Sequence, residues 1–373
     1  MERLNSAVRP DHGKKLEAIG LSFWQWDNYW KEDVCYRFNA AQIDEIEAAT
    51  AELHSLCIQA VKHAIEHGRL GELQIPKEFH AAIKSSFDAD DFSLYGRFDL
   101  AYDGFNPPKM LEYNADTPTS ILESAVAQWY WMEEVFGNDD QFNSLHERLV
   151  ARWDALPDES LIHFASIADN EEDWVAITYL METAIQAGKQ VVSITLDQIG
   201  WDAQNNMFVD MQGKQIKCLF KLYPWEWMMR ESFGAHIAES NTRFIEPIWK
   251  SVLSCKAILP LLWELFPNHP NLLEAHLNQP NGLTAFAKKP LFSREGANIE
   301  LHHEGNLVHH SNDGPYGAEG YVYQALFALP SFQGMYPVIG SWVVGAKPAG
   351  MCIREDVSPI TTNMSFFVPH IFR

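Results

Sequence analysis

Apolar residues first recur along this chain with a helical period. They fall mostly at three- and four-residue steps from Ala41 to His67, which predicts one long amphipathic helix, and Gly68 follows in the position of a C-cap. The next pattern has a period of two. The segments GRFDLAYDG and KMLEYNAD alternate as half-buried strands do, and the turn-forming residues 104–108 lie between them. This arrangement predicts a β-hairpin.

The pattern then returns to helix and changes again after residue 137. Pro118 and the capping pair of Ser120 and Glu123 predict the start of a helix that runs through Phe136. Further on, the apolar run LIHFASIA, a helical stretch over 174–187 and the run QVVSITL follow one another. Strand, helix and strand at this spacing predict a βαβ unit with parallel pairing.

The remaining chain predicts a strand over 218–225 and a mostly helical region over 244–266, broken by Pro247 and Pro260. Short strands separated by glycine and proline turns dominate the last third. No repeat or flexible linker separates these parts, so we predict an α+β fold that forms a single catalytic unit over 1–373. Its approximate sub-lobes are 1–150, 155–245 and 246–373.

Composition excludes several classes of protein. The 373 residues are 47% hydrophobic, which is typical of a globular chain, and the charge of −22 disfavours nucleic acid as a partner. That charge suits a cationic small molecule, although acidity that serves solubility alone remains the simpler reading. We find neither a signal peptide nor an apolar run of membrane-spanning length, and the five cysteines lack CxxC spacing. We expect a cytoplasmic protein with reduced thiols, no membrane association and no obligate protein partner.

The predicted hairpin carries the most informative polar residues. Residues two apart on a strand point the same way, so Arg97 with Asp99, and Glu112 with Asn114, can converge on one face. Asp99, Glu112 and Asn114 would then offer the oxygen ligands that Mg²⁺ prefers beside substrate phosphates, with Arg97 as an oxyanion clamp. An ordinary ion pair on a solvated sheet face explains the same spacing equally well.

Lysines in apolar surroundings form a second group of candidates. Lys256 lies within SVLSCKAILPLLW, and Lys288 and Lys289 lie within TAFAKKPLF. Burying a lysine is costly without an anion, so a phosphate partner is one explanation and a lysine that reaches solvent from an edge strand is the other. The loop 292–298 contains Gly296, whose backbone could approach phosphates closely. Gln324 could read an adenine edge or simply bond a neighbouring strand.

Two further clusters allow opposite readings. Acidic residues from Asp169 to Asp173 follow a predicted strand at the edge where α/β sheets bind ligands, but they also suit the N-terminus of the next helix. Histidines 302, 303, 309 and 310 resemble a metal cluster at first sight. Adjacent strand residues face opposite ways, so at most two can share a side, and a hairpin with surface histidines is favoured. The short phosphate-loop, dinucleotide, zinc-protease and serine-hydrolase motifs are absent from the sequence.

Several segments in one order resemble the glutathionylspermidine synthase family over nearly the whole chain. They include RFDLAYDG, LEYNADTPT, ADNEED, CKAILPLLW, KKPLFSREGANI, YVYQAL and GMCIRED. The resemblance implies an ATP-grasp fold of the glutathione synthetase type, with its elements in an atypical order and a βαβ lobe similar to a pre-ATP-grasp domain. It also implies a ligase that needs ATP and Mg²⁺. The separate amidase domain of bifunctional relatives has no matching segment here.

The resemblance also implies roles for individual residues. It implies Mg²⁺ ligation by Asp99, Glu112 and Asn114, and transition-state stabilisation by Arg97. ATP contacts are implied for Arg97, Phe98, Asp99, Lys256, Lys289, Gly296, Gln324, Ile360, Thr361 and Thr362. Contacts with the acid substrate are implied for Thr117, Thr119, Arg294 and Arg354, and contacts with the amine for Glu171 and Glu172.

The implied reaction joins a small-molecule carboxylate to an amine through an acylphosphate, under the loop 292–298 as a closing element. A glutathione-like peptide and a polyamine are the substrates that the resemblance suggests, but the segment KLYPWEW matches loosely where the amine is recognised. A catalytically idle ATP-binding protein with a regulatory or scaffolding role is the leading alternative. A metal-dependent hydrolase built on the histidines is a third, and it would need no nucleotide.

Overall fold

A computed structural model describes residues 1–157 and 161–373 and shows a mixed α/β architecture. Within these ranges the strands are β1 (Glu2–Asn5), β2 (Val34–Phe38), β3 (Tyr95–Ala101), β4 (Lys109–Asn114), β5 (Ile162–Ser166), β6 (Val191–Thr195), β7 (Gly200–Asp202), β8 (Met207–Val209), β9 (Cys218–Lys221), β10 (Arg243–Ile245), β11 (Ala275–Leu277), β12 (Ala285–Pro290), β13 (Glu300–His303), β14 (Asn306–His310), β15 (Tyr321–Ala325), β16 (Tyr336–Val344), β17 (Lys347–Asp356), β18 (Phe366–Val368) and β19 (His370–Phe372). The α-helices are α1 (His12–Ala18), α2 (Ala40–Glu66), α3 (His80–Asp88), α4 (Gln128–Val135), α5 (Leu145–Asp154), α6 (Glu171–Gln186), α7 (Trp225–Met228), α8 (Ser251–Ser254) and α9 (Ile258–Leu265). Short 3₁₀ turns span Trp26–Asn28, Leu70–Leu73, Lys77–Phe79, Leu196–Gln198, Ser232–His236 and Ile248–Lys250, and a π-helical turn spans Glu123–Ala127.

An antiparallel sheet with strand order β18-β17-β16-β3-β4 packs one face against the long helix α2. The helix begins at a capping box in which Asn39 and Gln42 bond each other's backbone N–H groups, and it ends where the sequence predicted. Phe98 stacks on Tyr113 on this face, with ring centroids 3.8 Å apart. Because side chains alternate along a strand, Arg97 and Asp99 point away from the core.

A second antiparallel sheet has the order β11-β15-β12-β13-β14. Its strands come from the last third of the chain, as the alternating pattern predicted. β13 and β14 form a hairpin closed by Glu304 and Gly305, both with positive φ, which is the geometry of a tight two-residue turn. β14 is exposed along its whole length and forms the edge of the sheet.

A parallel sheet of order β10-β9-β5-β6 forms the third layer and contains the predicted βαβ unit, since β5 pairs parallel with β6 and α6 connects them. Smaller elements complete the fold: β1, β2 and β19 form one sheet, and β7 pairs with β8. No helix in the described ranges combines the length and the apolar character that a membrane crossing requires.

The predicted cap of the helix after the hairpin is wrong. Ser120 adopts a left-handed φ of 65° and makes no capping bond, and the Glu123 carboxylate accepts a hydrogen bond from Tyr29 Oη at 2.7 Å instead. Ser120 Oγ also lies 3.2 Å from Tyr29 Oη. Tertiary contacts with the chain around Tyr29 therefore replace the local cap that the sequence suggested.

Two boundaries near the centre of the chain also differ from the prediction. The strand predicted over 218–225 ends at Lys221, because Pro224 opens α7. The helical region over 244–266 begins with β10 and breaks at 255–257, between α8 and α9. Pro260 does not break it, since it lies in the first turn of α9, where backbone N–H groups have no helical acceptor. Lys256 thus occupies a turn between helices and not an apolar strand.

Candidate functional site

A cavity of about 620 Å³ lies between the two antiparallel sheets, and both contribute to its wall. The open face of β3 and β4 supplies its polar side chains, whereas β12, β13 and β15 supply the facing wall. The N-terminal end of α6 and the loop 292–298 line it as well. All three layers of the fold therefore meet at this cavity.

The cavity-facing side of β3 and β4, here called the hairpin wall, brings together the four residues predicted to share a face. In the register of β3 and β4, Arg97 lies opposite Asn114 and Asp99 lies opposite Glu112. Arg97 Nε donates to Asp99 Oδ1 at 2.9 Å, and Asn114 Nδ2 donates to Glu112 Oε1 at 3.3 Å. The predicted convergence is confirmed, and the ion pair that explained the spacing equally well is present within it, although it is buried and not on a solvated face.

Two lysines approach these carboxylates from the facing side of the cavity. Lys256 Nζ lies 3.1 Å from Glu112 Oε2 and donates to the Ser293 carbonyl at 2.6 Å. Lys289 Nζ donates to Gln324 Oε1 at 2.7 Å and to the Leu111 carbonyl at 3.0 Å. Both ammonium groups are thus buried beside the hairpin wall and are held mainly by backbone and amide oxygens.

The electrostatics of this cluster favour the ionised form of Glu112 and oppose the charged form of Lys289. Burial alone would raise the pKa of Glu112, but Lys256 and Lys289 hold it down at about 2. Burial, opposed by Glu112 and helped by Lys256, lowers the pKa of Lys289 to about 8. Asp99, Glu112 and Asn114 offer oxygen atoms at one edge of a cationic cluster, and this donor set fits Mg²⁺ in company with phosphate groups.

The loop 292–298 packs against the opposite side of the cavity through Gly296. Its φ is 70°, and a Cβ added there would lie 2.3 Å from the Thr361 carbonyl oxygen. Glycine is therefore required at this position for two reasons: the backbone is left-handed, and the Thr361 carbonyl oxygen leaves no room for a Cβ atom. This contact joins the loop to the 360–362 segment.

Replacing Gly296 with alanine should lower the free energy of unfolding more than the same change at Gly282. Both glycines have positive φ, but nothing lies within 4 Å of a Cβ at Gly282. The difference isolates the clash with Thr361, for which we expect at least about 1 kcal/mol in urea denaturation. Equal losses for the two variants would show that the loop moves aside without cost.

The candidate contacts for an acid substrate form a chain of hydrogen bonds along the wall. Arg97 Nη1 donates to the Thr119 carbonyl at 3.0 Å, and Arg294 Nη1 donates to Thr117 Oγ1 at 2.9 Å. Arg354 Nη2 lies 3.3 Å from Asp99 Oδ2. The cavity is thus lined at this end by guanidinium groups whose planar shape suits a carboxylate.

The acidic segment at the start of α6 divides between the cavity and the outer surface. Glu172 and Asp173 line the cavity, whereas Glu171 is exposed and accepts a hydrogen bond from Ser22 Oγ at 2.5 Å. Burial and the neighbouring charges of Glu172 and Glu295 raise the pKa of Asp173 to about 7. The segment therefore fits both interpretations in part. It faces the cavity, as a ligand-binding cluster would, and it also forms the N-terminus of α6, which Asn170 caps.

Three predicted site residues do not line the cavity. Phe98 packs on the core side of its sheet, Glu171 faces outwards, and Thr362 bonds within its own turn. Gln324 does line the cavity, but its amide is engaged by Lys289 and by the Met110 carbonyl, at 2.7 and 2.9 Å. Its carbonyl oxygen therefore orients Lys289, and one of its two amide N–H groups is taken by the Met110 carbonyl.

Several lining residues were not among the site residues that the sequence analysis assigned. They comprise aromatic, acidic and imidazole side chains at the mouth, namely Trp26, Asp173, Trp227, Glu295, His303 and His309. Glu226 was not assigned either: it bonds Arg294 Nη2 at 2.5 Å from behind the wall. Asp173 and the two histidines belong to clusters that the sequence had singled out, and Glu295 lies in the loop 292–298, whereas Trp26, Trp227 and Glu226 gave no such signal.

Comparison with known proteins identifies the relatives of this chain. The model of the family described as "Glutathionylspermidine synthase preATP-grasp" matches residues 3–373. A Haemophilus influenzae protein named "Putative acid--amine ligase" is 42% identical over 384 residues, which cover 98% of each chain. The "Bifunctional glutathionylspermidine synthetase/amidase" of Escherichia coli is 29% identical over 90% of this chain but only 59% of its own length.

A third relative and one solved structure extend the likeness. The "Trypanothione synthetase" of Crithidia fasciculata is 28% identical over 83% of this chain, so the chain spans about half, 52%, of that protein. A glutathione synthetase-like effector of Globodera pallida superposes with a TM-score of 0.57 over 98% of this chain and 99% of its own, at 10% identity. That superposition supports a shared fold of the glutathione synthetase type.

Proposed function

The chain belongs to the glutathionylspermidine synthase preATP-grasp family, and we propose that it is an ATP- and Mg²⁺-dependent ligase that joins a carboxylic acid to an amine. The proposal includes an ATP-grasp arrangement, in which the nucleotide lies between the two antiparallel sheets. We place the reaction in the cytoplasm. The five cysteines, odd in number and without CxxC spacing, are typical of a reducing compartment.

One observation carries the proposal: the oxygen-bearing side chains of the hairpin and the buried lysines meet across a single cavity. A triphosphate placed between Lys256 and Lys289 would have its negative charge neutralised by their two ammonium groups. Asp99, Glu112 and Asn114 would hold the ion from the other side, and bound Mg²⁺ would polarise the phosphoryl oxygens. Ala287, Leu301 and Ile360 form a small apolar cluster in the same wall, which suits the face of a purine.

The chain's own residues account for the proposed chemistry. An oxygen of the acid attacks the γ-phosphorus, ADP leaves, and an acylphosphate forms. Although burial opposes its charge, Asp99 keeps the pKa of Arg97 above the ordinary value, so Arg97 remains a cation where negative charge develops. The neutral amine then attacks the acyl carbon and phosphate leaves. Glu172 and Asp173 would bind the ammonium form and take up the proton that it loses.

The relatives' names supply the substrate hypothesis. We propose a glutathione-like peptide as the acid and a polyamine as the amine, because two relatives are named as synthetases of glutathionylspermidine and trypanothione. The guanidinium groups of Arg294 and Arg354 suit the acid, and the carboxylates of Glu172 and Asp173 suit the amine. We propose amide formation as the reaction of this chain.

Mg²⁺-dependent ADP release by the purified protein tests this function. Thiol peptides and polyamines are supplied singly and in pairs, with glutathione and spermidine among them. We expect release to require one acid and one amine together, and mass spectrometry to find the amide product. If Mg-ATP raises the melting temperature but no pair supports release, the idle ATP-binding alternative is favoured. Activity without nucleotide would support the hydrolase instead.

A further inference from the structure

Two histidines of the β13–β14 hairpin lie on the side of the hairpin that faces the cavity. His303 and His309 both line it, whereas His302 and His310 belong to the other face of the hairpin. The outer pair has protein partners: His302 stacks on Phe286, with ring centroids 4.8 Å apart, and His310 lies 3.6 Å from Asp313. For His303 and His309, the described part of the chain supplies no side-chain hydrogen bond or ion pair, so both imidazoles face the cavity without a partner.

A β-bulge brings the second of these histidines to the cavity side. The register changes between Leu301, which pairs with His309, and His302, which pairs with Leu307. Val308 is therefore the extra residue. In an unbroken register Val308 would pair with Leu301, and His309 would pair with Glu300 on the outer face. Bulges commonly redirect a side chain beside an active site, and this one places an imidazole next to Leu301.

The position of the pair relative to the lysines indicates which part of a nucleotide they would meet. Lys289 and Ala287 lie two residues apart on the cavity-facing side of β12. Lys289 marks the end of the cavity where the phosphates would bind. Next to it, Ala287 and its β13 neighbour Leu301 form an apolar surface, here called the apolar floor. His303 lies beside Ala285, one more step along, about 7 Å beyond the floor. His309 lies directly beside that floor. His303 thus borders the apolar floor at the end away from the phosphates, and His309 borders it from the side.

We propose that His303 and His309 are nucleotide-binding residues that hydrogen-bond the nucleoside part of ATP. This inference rests on the proposed function and assigns residues within the same site. A neutral imidazole has one donor and one acceptor nitrogen, so it can meet either the ring nitrogens of a base or the hydroxyls of a ribose. A metal role is not supported, since the described residues contain no group of three potential His, Cys, Asp or Glu ligands.

Calorimetric binding of Mg-ATP and of Mg-tripolyphosphate to the full chain tests the inference. For His303→Ala and His309→Ala we expect roughly fivefold weaker ATP binding each, the effect of one lost hydrogen bond, with tripolyphosphate affinity unchanged. His310→Ala is the matched control, because it removes an exposed imidazole from the outer face of the same strand. It should bind both ligands as the wild type does.

Three results would contradict this assignment in different ways. If both variants bind Mg-ATP within twofold of the wild type, the histidines do not contact the nucleotide. An equal loss for ATP and tripolyphosphate would place them at the phosphates and overturn the nucleoside assignment. If the wild-type protein binds neither ligand, the proposed function itself fails, and the inference fails with it.

Discussion

Replacing Asp99 with alanine should abolish the ADP release that requires both acid and amine. Asp99 is buried at the centre of the hairpin wall, between the guanidinium groups of Arg97 and Arg354. Its loss removes one proposed Mg²⁺ ligand and leaves both cations without their shared carboxylate. We expect a fall in turnover of at least ~100-fold, because charge stabilisation in a preorganised site contributes that much for a single group.

The control for this prediction is Asp91→Ala. Asp91 is exposed, precedes β3 by four residues, and its side chain makes no hydrogen bond or ion pair among the described residues. Its removal should leave turnover unchanged. A conservative Asp99→Asn variant keeps the shape of the side chain and separates misfolding from loss of charge, with circular dichroism as the check. Unchanged release by a folded Asp99 variant would refute the metal assignment.

The parts of the site that could be predicted from the sequence depend on local periodicity. The alternation around Arg97 and Glu112 specifies which side chains share a face, and pairing of adjacent strands then brings the two pairs together. The paired register needed no information from the rest of the chain. The same reasoning identified the βαβ unit, because strand, helix and strand each have their own period.

The parts that could not be predicted depend on tertiary contacts. Lys256 reaches Glu112 from a turn between two helices, and no pattern in its own segment places it there. Glu123 looked like a capping residue because its spacing from Ser120 is correct, yet its carboxylate bonds Tyr29, 94 residues away along the chain. His309 shares a face with His303 only through a bulge, and a one-residue register change has no local signature.

The geometry of the cavity also depends on how the parallel sheet is attached to the hairpin. Asp116, two residues after β4, is 2% exposed and accepts from Lys221 Nζ at 2.5 Å, and Lys221 is fully buried at the end of β9. The second carboxylate oxygen of Asp116 accepts from the Trp225 backbone N–H at 2.9 Å, and Lys221 also donates to the Tyr223 carbonyl. Because Thr117 and Arg294 adjoin this pair, its integrity determines where the wall proposed to bind the acid substrate lies.

Replacing Asp116 with alanine should therefore lower the free energy of unfolding by about 3–5 kcal/mol, because it leaves a buried ammonium group without its counter-charge. Adding Lys221→Met should recover much of the loss, since the double variant buries no unpaired charge. Urea denaturation of the wild type, both single variants and the double variant completes the cycle.

The control for this prediction is Lys84→Ala, which removes an exposed ion pair with Asp88 and should cost less than about 0.5 kcal/mol of unfolding free energy. If Asp116→Ala cost no more than this control, the buried pair would not hold the two layers together, and the position of the wall around Thr117 and Arg294 would need another explanation.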